Sequence, residues 1–402
     1  MDPNSKTPAM SSKCVIAGAL VPFVGTFPQE LLEAFVDQLQ DDKASLRACS
    51  LASRKFLLSC RKYLFYALRF DLPAIQSNPT AFRQIFEENP QLGSFVRDLE
   101  LYPNLSSSNH VDLLWILDHC ISQITSLDIF QSQWSAVNPN TRWAIDQRQL
   151  KLQGPTLTRL AIHGHFTEIP VSIFEGLTRL KQLELSYSTW SPSPISGPVP
   201  RPEQLCIEPL IGSPQESSIY NFLAQPSPPF LVDDLKEFTL RIAKETDLHL
   251  KTIFLPRVRH LRSISMQLYE SPVDLSTIVQ MRAIGSTLQI GIFCYISFEP
   301  TTGHHPLVQT LGSLNPAKSP SVAITVKSLV HIIDGRAGPW GELDDLVVGL
   351  HKAGLMKKFE MFFPKILPIR SDAASEHDQA LYLKMPKSTE LGVFVVSTNG
   401  GR

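Results

Sequence analysis

Residues 27–65 read FPQELLEAFVDQLQDDKASLRACSLASRKFLLSCRKYLF and predict three consecutive short helices. Pro28 suits the start of a helix because its missing N–H costs nothing there, and Glu30 places a negative charge in the positive first turn. Apolar residues then recur at helical spacing along the first helix. Asp41 or Asp42 can cap the second helix by accepting hydrogen bonds from its free amides.

Three helices in about 40 residues approach the lower size limit of an independently folding domain. Such a unit cannot cover all of its leucine and phenylalanine side chains internally. Two outcomes are therefore open. The leftover apolar surface packs against the rest of the chain, or a partner protein covers it.

The order of residues in this stretch resembles that of an F-box. The F-box pattern opens with Leu-Pro, continues with a Glu-Leu-Leu-type helix and ends in a Cys-Ser-Leu-Val-x-Arg-x-Trp-like block. The matching segments here are PQELL at 28–32 and LRACSLASRKF at 46–56. The tail SCRKYLF at 59–65 also resembles the form common in fungal F-box proteins.

Three positions depart from the F-box pattern, although each keeps an apolar side chain. Phe27 replaces the leading leucine, Ala52 the usual valine and Phe56 the usual tryptophan. The resemblance implies that this segment binds an SKP-family linker protein, which bridges to a cullin scaffold. The residues that would make this contact are Pro28, Leu31, Leu32, Leu39, Leu46, Cys49 and Phe56.

A second pattern, with apolar residues at positions i, i+3 and i+5, recurs along the rest of the chain. Its seven occurrences begin at Val96, Ile124, Leu157, Leu180, Leu235, Leu261 and Met356. The first four starts are 28, 33 and 23 residues apart, which brackets the period of about 20–29 residues in leucine-rich repeats. Helical spacing of apolar residues at 111–121 and 274–284 fills two of the intervals.

This alternation resembles a degenerate leucine-rich-repeat array, with parallel strands on one side and helices on the other. A two-layer α/β domain with ordinary leucines is the alternative. We therefore expect an α/β fold class, in which a small N-terminal three-helix F-box precedes an irregular leucine-rich-repeat solenoid of strands and helices.

The expected domain organisation has four parts. They are a disordered N-terminus at 1–25, the F-box at 26–70, a helical linker at 71–93 and the repeat domain at 94–402. A disordered insertion is expected at 191–230, which holds ten of the 31 prolines. Proline cannot donate to a strand ladder, and this composition buries little surface.

The residues between and after the two strand leucines of each repeat point away from the core. In the early repeats these positions place carboxylates beside aromatic side chains, and aromatic anchors are favoured at interfaces. We predict that this concave face binds a basic or polar segment of a target protein. Its candidate residues are Glu100, Tyr102, Asp128, Phe130, His163, Glu184 and Arg241. The alternative for Tyr102 and Phe130 is packing against the linker.

Composition limits the classes of partner. The 37 basic and 38 acidic residues give a net charge of −1, which disfavours broad binding of nucleic acid or anionic membrane. Six scattered cysteines without a C-x-x-C pair favour reduced thiols in the cytoplasm or nucleus. The apolar run at 14–24 is broken by Pro22, so a secretory signal is not expected. No apolar run reaches the roughly 18 residues of a transmembrane helix.

Catalytic motifs are missing from the sequence: there is no G-x-S-x-G, G-x-G-x-x-G, Walker loop or H-E-x-x-H. The histidine pairs at 163/165 and 304/305 lack a third ligand at a recognisable spacing. We therefore expect that the protein is not an enzyme and binds no cofactor or metal. An active site assembled from residues distant in the sequence is the remaining alternative.

The leading functional hypothesis is a substrate-recognition subunit of an SCF-type (cullin–RING) E3 ubiquitin ligase. Such a subunit tethers its target and so raises the effective concentration of target lysines near the ubiquitin-conjugating enzyme. The alternative is a non-catalytic leucine-rich-repeat scaffold or interaction protein without ubiquitin transfer.

Overall fold

A computed structural model describes most of the chain. It covers residues 28–70, 79–102, 107–130, 139–140, 145, 150, 154–164, 168–208, 218–242, 249–268, 272–282, 286–296, 306–318, 321–330, 340–362 and 384–397. The chain divides into two compact units, Met1–Leu64 and Phe65–Arg402. The predicted disordered N-terminus at 1–25 lies outside the described residues.

The first unit contains the three predicted helices. They are α1 (Gln29–Asp37), α2 (Lys43–Ala52) and α3 (Arg54–Leu64). Asp42 caps α2, because its carboxylate accepts hydrogen bonds from the backbone N–H groups of Ala44 and Ser45, each at 3.1 Å. This confirms the helices and selects one of the two predicted caps.

The core of the first unit is small. Among residues 28–64, the fully buried apolar side chains are Val36, Leu46 and Cys60. The hydroxyl of Tyr63 donates a hydrogen bond of 2.5 Å to Asp37, which joins α3 to α1 and raises the pKa of Tyr63 to about 12. Packing and this one polar link therefore hold three short helices together.

The second unit is built on a twelve-stranded sheet in which all neighbouring strands are parallel. In chain order the strands of this unit are β1 (Ala67–Phe70), β2 (Asp98–Leu101), β3 (Ser126–Phe130), β4 (Arg159–His163), β5 (Ile169–Pro170), β6 (Gln182–Ser186), β7 (Trp190–Ser191), β8 (Gln204–Glu208), β9 (Glu237–Ile242), β10 (Ser263–Leu268), β11 (Leu288–Ile296), β12 (Val322–Val330), β13 (Met356–Phe362) and β14 (Phe394–Ser397). Strands β5 and β7 form a separate two-stranded sheet. All seven predicted strand segments lie in the large sheet, and the α/β class is confirmed.

Helices and short helical turns occupy the connections, as crossovers between parallel strands require. The helices are α4 (Pro79–Glu88), α5 (Ser107–His119), α6 (Ile219–Leu223), α7 (Leu275–Gln280), α8 (Pro306–Gly312), α9 (Trp340–Lys352) and α10 (Pro386–Glu390). Three 3₁₀ turns at Pro90–Phe95, Val171–Phe174 and Pro316–Lys318 and a π-helical turn at Leu250–Phe254 complete the connections in the described part of the chain.

From β1 to β13, the register of the large sheet stacks one apolar residue of each strand against its neighbours. One buried row contains Leu68, Leu99, Leu127, Leu160, Leu183, Leu205, Phe238, Ile264, Ile290, Ile324 and Met356. A second buried row lies two residues further along the strands, because side chains alternate between the two sides of a strand; in β13 it lies three residues further, at Phe359. The intervening residues, such as Asp98 and Glu100 in β2, form what we call the polar face.

The predicted disorder at 191–230 is wrong for its described residues, 191–208 and 218–230. Strand β8 lies in this range and pairs with both β6 and β9, and Phe230 is fully buried. The prolines lie in the connections, so the QLCIE sequence of β8 keeps every backbone donor. Ordered loops can therefore be proline-rich when their few apolar residues reach the core.

The predicted domain boundaries also shift. Strand β1 lies within the range 26–70 assigned to the F-box but belongs to the sheet of the second unit, which begins at Phe65. The described part of the predicted linker contains α4 and the start of the 3₁₀ turn at Pro90–Phe95. Residues 71–78 of that linker lie outside the described residues.

A pair of glycines tests the packing of the second unit. A Cβ added to Gly93 would lie 2.1 Å from the carbonyl oxygen of Cys120, whereas one added to Gly349 in α9 would meet nothing within 4 Å. Gly93→Ala is expected to destabilise the protein by about 1–3 kcal/mol, because the backbone at Cys120 or Gly93 must move to make room for the added methyl group. Gly349→Ala should stabilise it by about 0.5–1 kcal/mol, because a helix interior favours alanine. Denaturant unfolding of both variants measures the difference, and effects of the same sign would contradict it.

Candidate functional site

Four large apolar side chains are exposed within the described residues of the first unit, 28–64. Leu31 and Phe35 on α1 are 58% and 52% exposed, Leu51 near the end of α2 is 88% exposed, and Leu58 on α3 is 61% exposed. Leu31 and Phe35 are one helical turn apart and so lie on the same side of α1. All three helices thus present apolar surface to their surroundings.

The predicted linker-binding residues have three different environments in this unit. Pro28 and Leu31 are exposed, whereas Leu46 is fully buried. The half-buried residues are Leu32, Leu39, Cys49 and Phe56. The side chain of Leu46 fills the core between the helices, so it is not available to a partner while this packing is kept.

Three exposed residues, Phe35, Leu51 and Leu58, were missing from the predicted contact set. On α3, Leu58 is two residues from both Phe56 and Cys60, so a helical turn of 100° per residue places it opposite the packed side. Helical spacing in the sequence predicts that Leu58 lies opposite Phe56 and Cys60. Which of these two sides is buried depends on how the helices pack.

Charge is segregated within the first unit. Residues 28–42, with α1, carry the carboxylates Glu30, Glu33, Asp37, Asp41 and Asp42 and no cation. Residues 43–64, with α2 and α3, carry the cations Lys43, Arg47, Arg54, Lys55, Arg61 and Lys62 and no carboxylate. The exposed Leu51 and Leu58 therefore lie on basic helices.

On the second unit, the polar face carries a ladder of stacked side chains, one from each of four neighbouring segments. The ring of Phe130 stacks on Tyr102 and on His163, with centroids 4.7 Å apart in both pairs and interplanar angles of 7° and 16°. Arg69 lies over the Tyr102 ring at 5.3 Å and donates a 3.0 Å hydrogen bond to its hydroxyl. We call Arg69, Tyr102, Phe130 and His163 the aromatic ladder.

The ladder changes how these aromatic residues can take part in binding. Both faces of the Phe130 ring are covered by its neighbours, so the ring presents its edge to anything above the sheet. Ring edges carry partial positive charge and favour contacts with polar or negative groups. The predicted alternative is packing of Tyr102 and Phe130 against the linker at 71–93, of which residues 71–78 lie outside the described part of the chain.

The carboxylates beside the ladder are paired with arginines of the same face. The guanidinium of Arg159 donates a hydrogen bond to Oδ1 of Asp128, and its Nη2 lies 3.8 Å from Oε2 of Glu184. Glu100 lies 3.4 Å from Arg69. Nδ1 of His163 is 3.6 Å from Oε1 of Glu184, so this carboxylate contacts both the aromatic ladder and Arg159.

The structure therefore brings six of the seven predicted target-binding residues together and separates the seventh. Arg241 lies on β9, two strands beyond β6 in the sheet. Its guanidinium donates a 2.9 Å hydrogen bond to the hydroxyl of Tyr187 and lies 5.3 Å from the ring centroid. Tyr187 has a φ of 56°, a backbone strain that is uncommon outside functional or constrained positions.

Sequence reasoning missed Arg159, which contacts two of the predicted carboxylates. It considered the positions between and after the strand leucines, whereas Arg159 lies one residue before the first of them, on the same side of the strand. The alternation of strand side chains was enough to include this third row of the polar face.

Within the described residues, no group of three or more His, Cys, Asp or Glu side chains is placed to hold a metal ion. Within the same residues, no helix combines the length and apolar character needed to cross a membrane. No protein-family model and no curated protein sequence matches this chain.

The pKa of Glu100 provides a test of the crowded carboxylates. Burial raises this pKa, the neighbouring Asp128 and Asp98 raise it further, and Arg69 offsets only part of the effect. Because the folded-state pKa is raised, stability decreases as the pH rises through it. Glu100→Gln should therefore be more stable than wild type at about pH 7, and the difference should shrink towards about pH 4.

Thermal unfolding at both pH values measures this effect. Glu237→Gln, at an exposed position of the same face, is the matched control and should change the midpoint little at either pH. A Glu100→Gln protein that is less stable than wild type at neutral pH would contradict the crowding argument.

Proposed function

We propose that the protein is a substrate-recognition subunit of an SCF-type (cullin–RING) E3 ubiquitin ligase. The first unit is an F-box that binds an SKP-family linker protein and, through it, a cullin. The second unit is a leucine-rich-repeat solenoid that binds a protein target. The chain itself catalyses nothing and works in the cytoplasm or nucleus.

The observation that carries this proposal is the exposed apolar surface of the first unit. Leu31, Phe35, Leu51 and Leu58 are exposed on a unit whose fully buried apolar residues, within 28–64, number three. Large apolar side chains on a small unit of this kind mark a protein interface. The F-box-like order of residues in the same three helices supports an SKP-family linker as the partner.

The geometry of the second unit supports a repeat solenoid. In the sheet register Gln182 pairs with Gln204, 22 residues later, and Glu237 pairs with Ser263, 26 residues later. Strands that are consecutive in the large sheet are also consecutive among its strands in the sequence. A one-dimensional array of this kind offers an extended surface for a partner, and the aromatic ladder lies on that surface.

Replacing an exposed leucine of the first unit tests the linker contact. Leu31→Asp or Leu58→Asp should reduce retention of the SKP-family linker at least about 30-fold, because a charge in a desolvated apolar contact removes much of the binding energy. Co-purification of the two proteins, quantified against added linker, measures retention. Glu33→Lys, which lies about 160° from Leu31 around α1, is the matched control and should retain the linker.

The wild-type protein decides between the two functional hypotheses. If it does not retain the linker, the ubiquitin-ligase proposal is wrong and the scaffold alternative replaces it. If both leucine variants bind like wild type, the exposed residues are not the contact surface.

Leu46→Ala separates a core residue from a contact residue. Leu46 is fully buried, so its truncation should cost about 2–5 kcal/mol, which is enough to unfold a unit of this size. Retention of the linker and protection of α2 amides from hydrogen exchange should be lost together in this variant. In Leu31→Asp, protection should persist while retention is lost, and loss of protection in both variants would contradict the assignment.

A further inference from the structure

A row of residues crosses the second half of the polar face from strand to strand, in register from β9 to β12. The register pairs Glu237 with Ser263, Ser263 with Gln289, and Gln289 with Ala323. Lys357 follows on β13, the next strand of the sheet. We call these five residues the charged row, because Glu237 is at one end and Lys357 is at the other.

A β-bulge places Lys357 at its end of the row. Ile324 pairs with Met356, but the next residue, Thr325, pairs with Lys358, so Lys357 is the extra residue of β13. Bulges redirect side chains and are frequent next to binding sites. Lys357 is exposed and lines the same depression as Ser263 and Thr325 of the polar face.

The two terminal charges differ from the carboxylates beside the aromatic ladder. Glu100, Asp128 and Glu184 each have an arginine partner. Glu237 and Lys357 are exposed and have no ion-pair partner within the described residues. A bound molecule can therefore pair with these two charges without first breaking an existing contact.

The surface between the two ends is a trough lined mostly by small side chains, with the exposed Gln289 among them. A depression of about 300 Å³ is lined by Ser263, Ser265, Gly291, Thr325 and Lys357, together with their neighbours. Glu237 also lines a second depression of about 160 Å³, which extends away from the row over β8, β6 and β4. Small side chains allow a bound backbone to approach the sheet, and hydroxyl groups provide hydrogen-bond partners for it.

The length of the row fixes the size of what can bridge it. Four strand steps of about 4.8 Å separate β9 from β13, which gives about 19 Å. An extended polypeptide advances about 3.3 Å per residue. Two side chains about six residues apart on such a segment can therefore reach Glu237 and Lys357 together.

We propose that the charged row binds one extended segment of a protein target, with a basic side chain at Glu237 and an acidic side chain about six residues away at Lys357. Charge complementarity selects this occupant, because a segment with charges of a single sign is repelled at one end. The inference rests on the target-binding part of the proposed function and adds the charge pattern of the target.

Short peptides test the charge pattern. The probes are fluorescein-labelled 12-residue peptides of alanine and serine with one arginine and one glutamate six residues apart, made in both chain directions. The control peptide has the same composition, with the two charges adjacent. One direction should bind about tenfold more tightly than the control at low ionic strength, and added salt should reduce this advantage. Equal binding of all the peptides overturns the proposal.

Variants of the row test the position. Lys357→Glu should reverse the preference, so that a peptide with arginine at both positions binds better than the bipolar one. Gly291→Leu should abolish binding by filling the trough, whereas Gly291→Ala should retain it, since a Cβ there meets no atom closer than 3.7 Å. Lys352→Glu, exposed at the end of α9, is the charge control and should bind like wild type. An unchanged preference in Lys357→Glu overturns the proposal.

Two further measurements separate this proposal from a different occupant and from the ligase assignment. A dimer that becomes monomeric in Gly291→Leu would show that a second copy of the chain occupies the row, and the proposal would fall. Retention of the SKP-family linker is measured separately on the first unit. Loss of peptide selectivity with the linker retained rejects only the charged row, whereas selective peptide binding without linker retention rejects only the ubiquitin-ligase assignment.

Discussion

The parallel register of the twelve-stranded sheet is the constraint on which the rest of the second unit depends. Each strand aligns an apolar residue with the equivalent residue of its neighbours, as Leu99 aligns with Leu127 and Leu160. Because side chains alternate along a strand, the same register aligns the residues of the polar face. The aromatic ladder and the charged row are therefore consequences of how the core is stacked.

The two units meet different physical demands. The first has too few residues to bury its own apolar side chains, and its exposed leucines reflect that shortage. The second has a continuous core, so its polar face is free to carry charges and stacked rings. The small unit thus exposes apolar surface, whereas the large unit exposes a polar face, and the proposed function assigns these two surfaces to separate partners.

The sequence predicted much of the fold because the apolar pattern is set by the core. Strands β8, β11 and β12 were missed because each lacks the first apolar residue of the i, i+3, i+5 pattern. The residues at that position are Pro202, Thr287 and Ser321. Strand β1 was missed because its residues had been assigned to the helical segment before it. Side-chain pairing was less predictable: the contact of Arg159 with Asp128 depends on the register between strands, which no local pattern encodes.

Connections of very different length join strands that stay in register. Gln182 and Gln204 are 22 residues apart, whereas Gln289 and Ala323 are 34 apart. Length changes in a connection are absorbed away from the strands, so an insertion there need not move any residue of the polar face. Equally, a substitution on that face need not disturb the buried rows. Binding specificity and stability can thus diverge along separate sets of positions in the same chain.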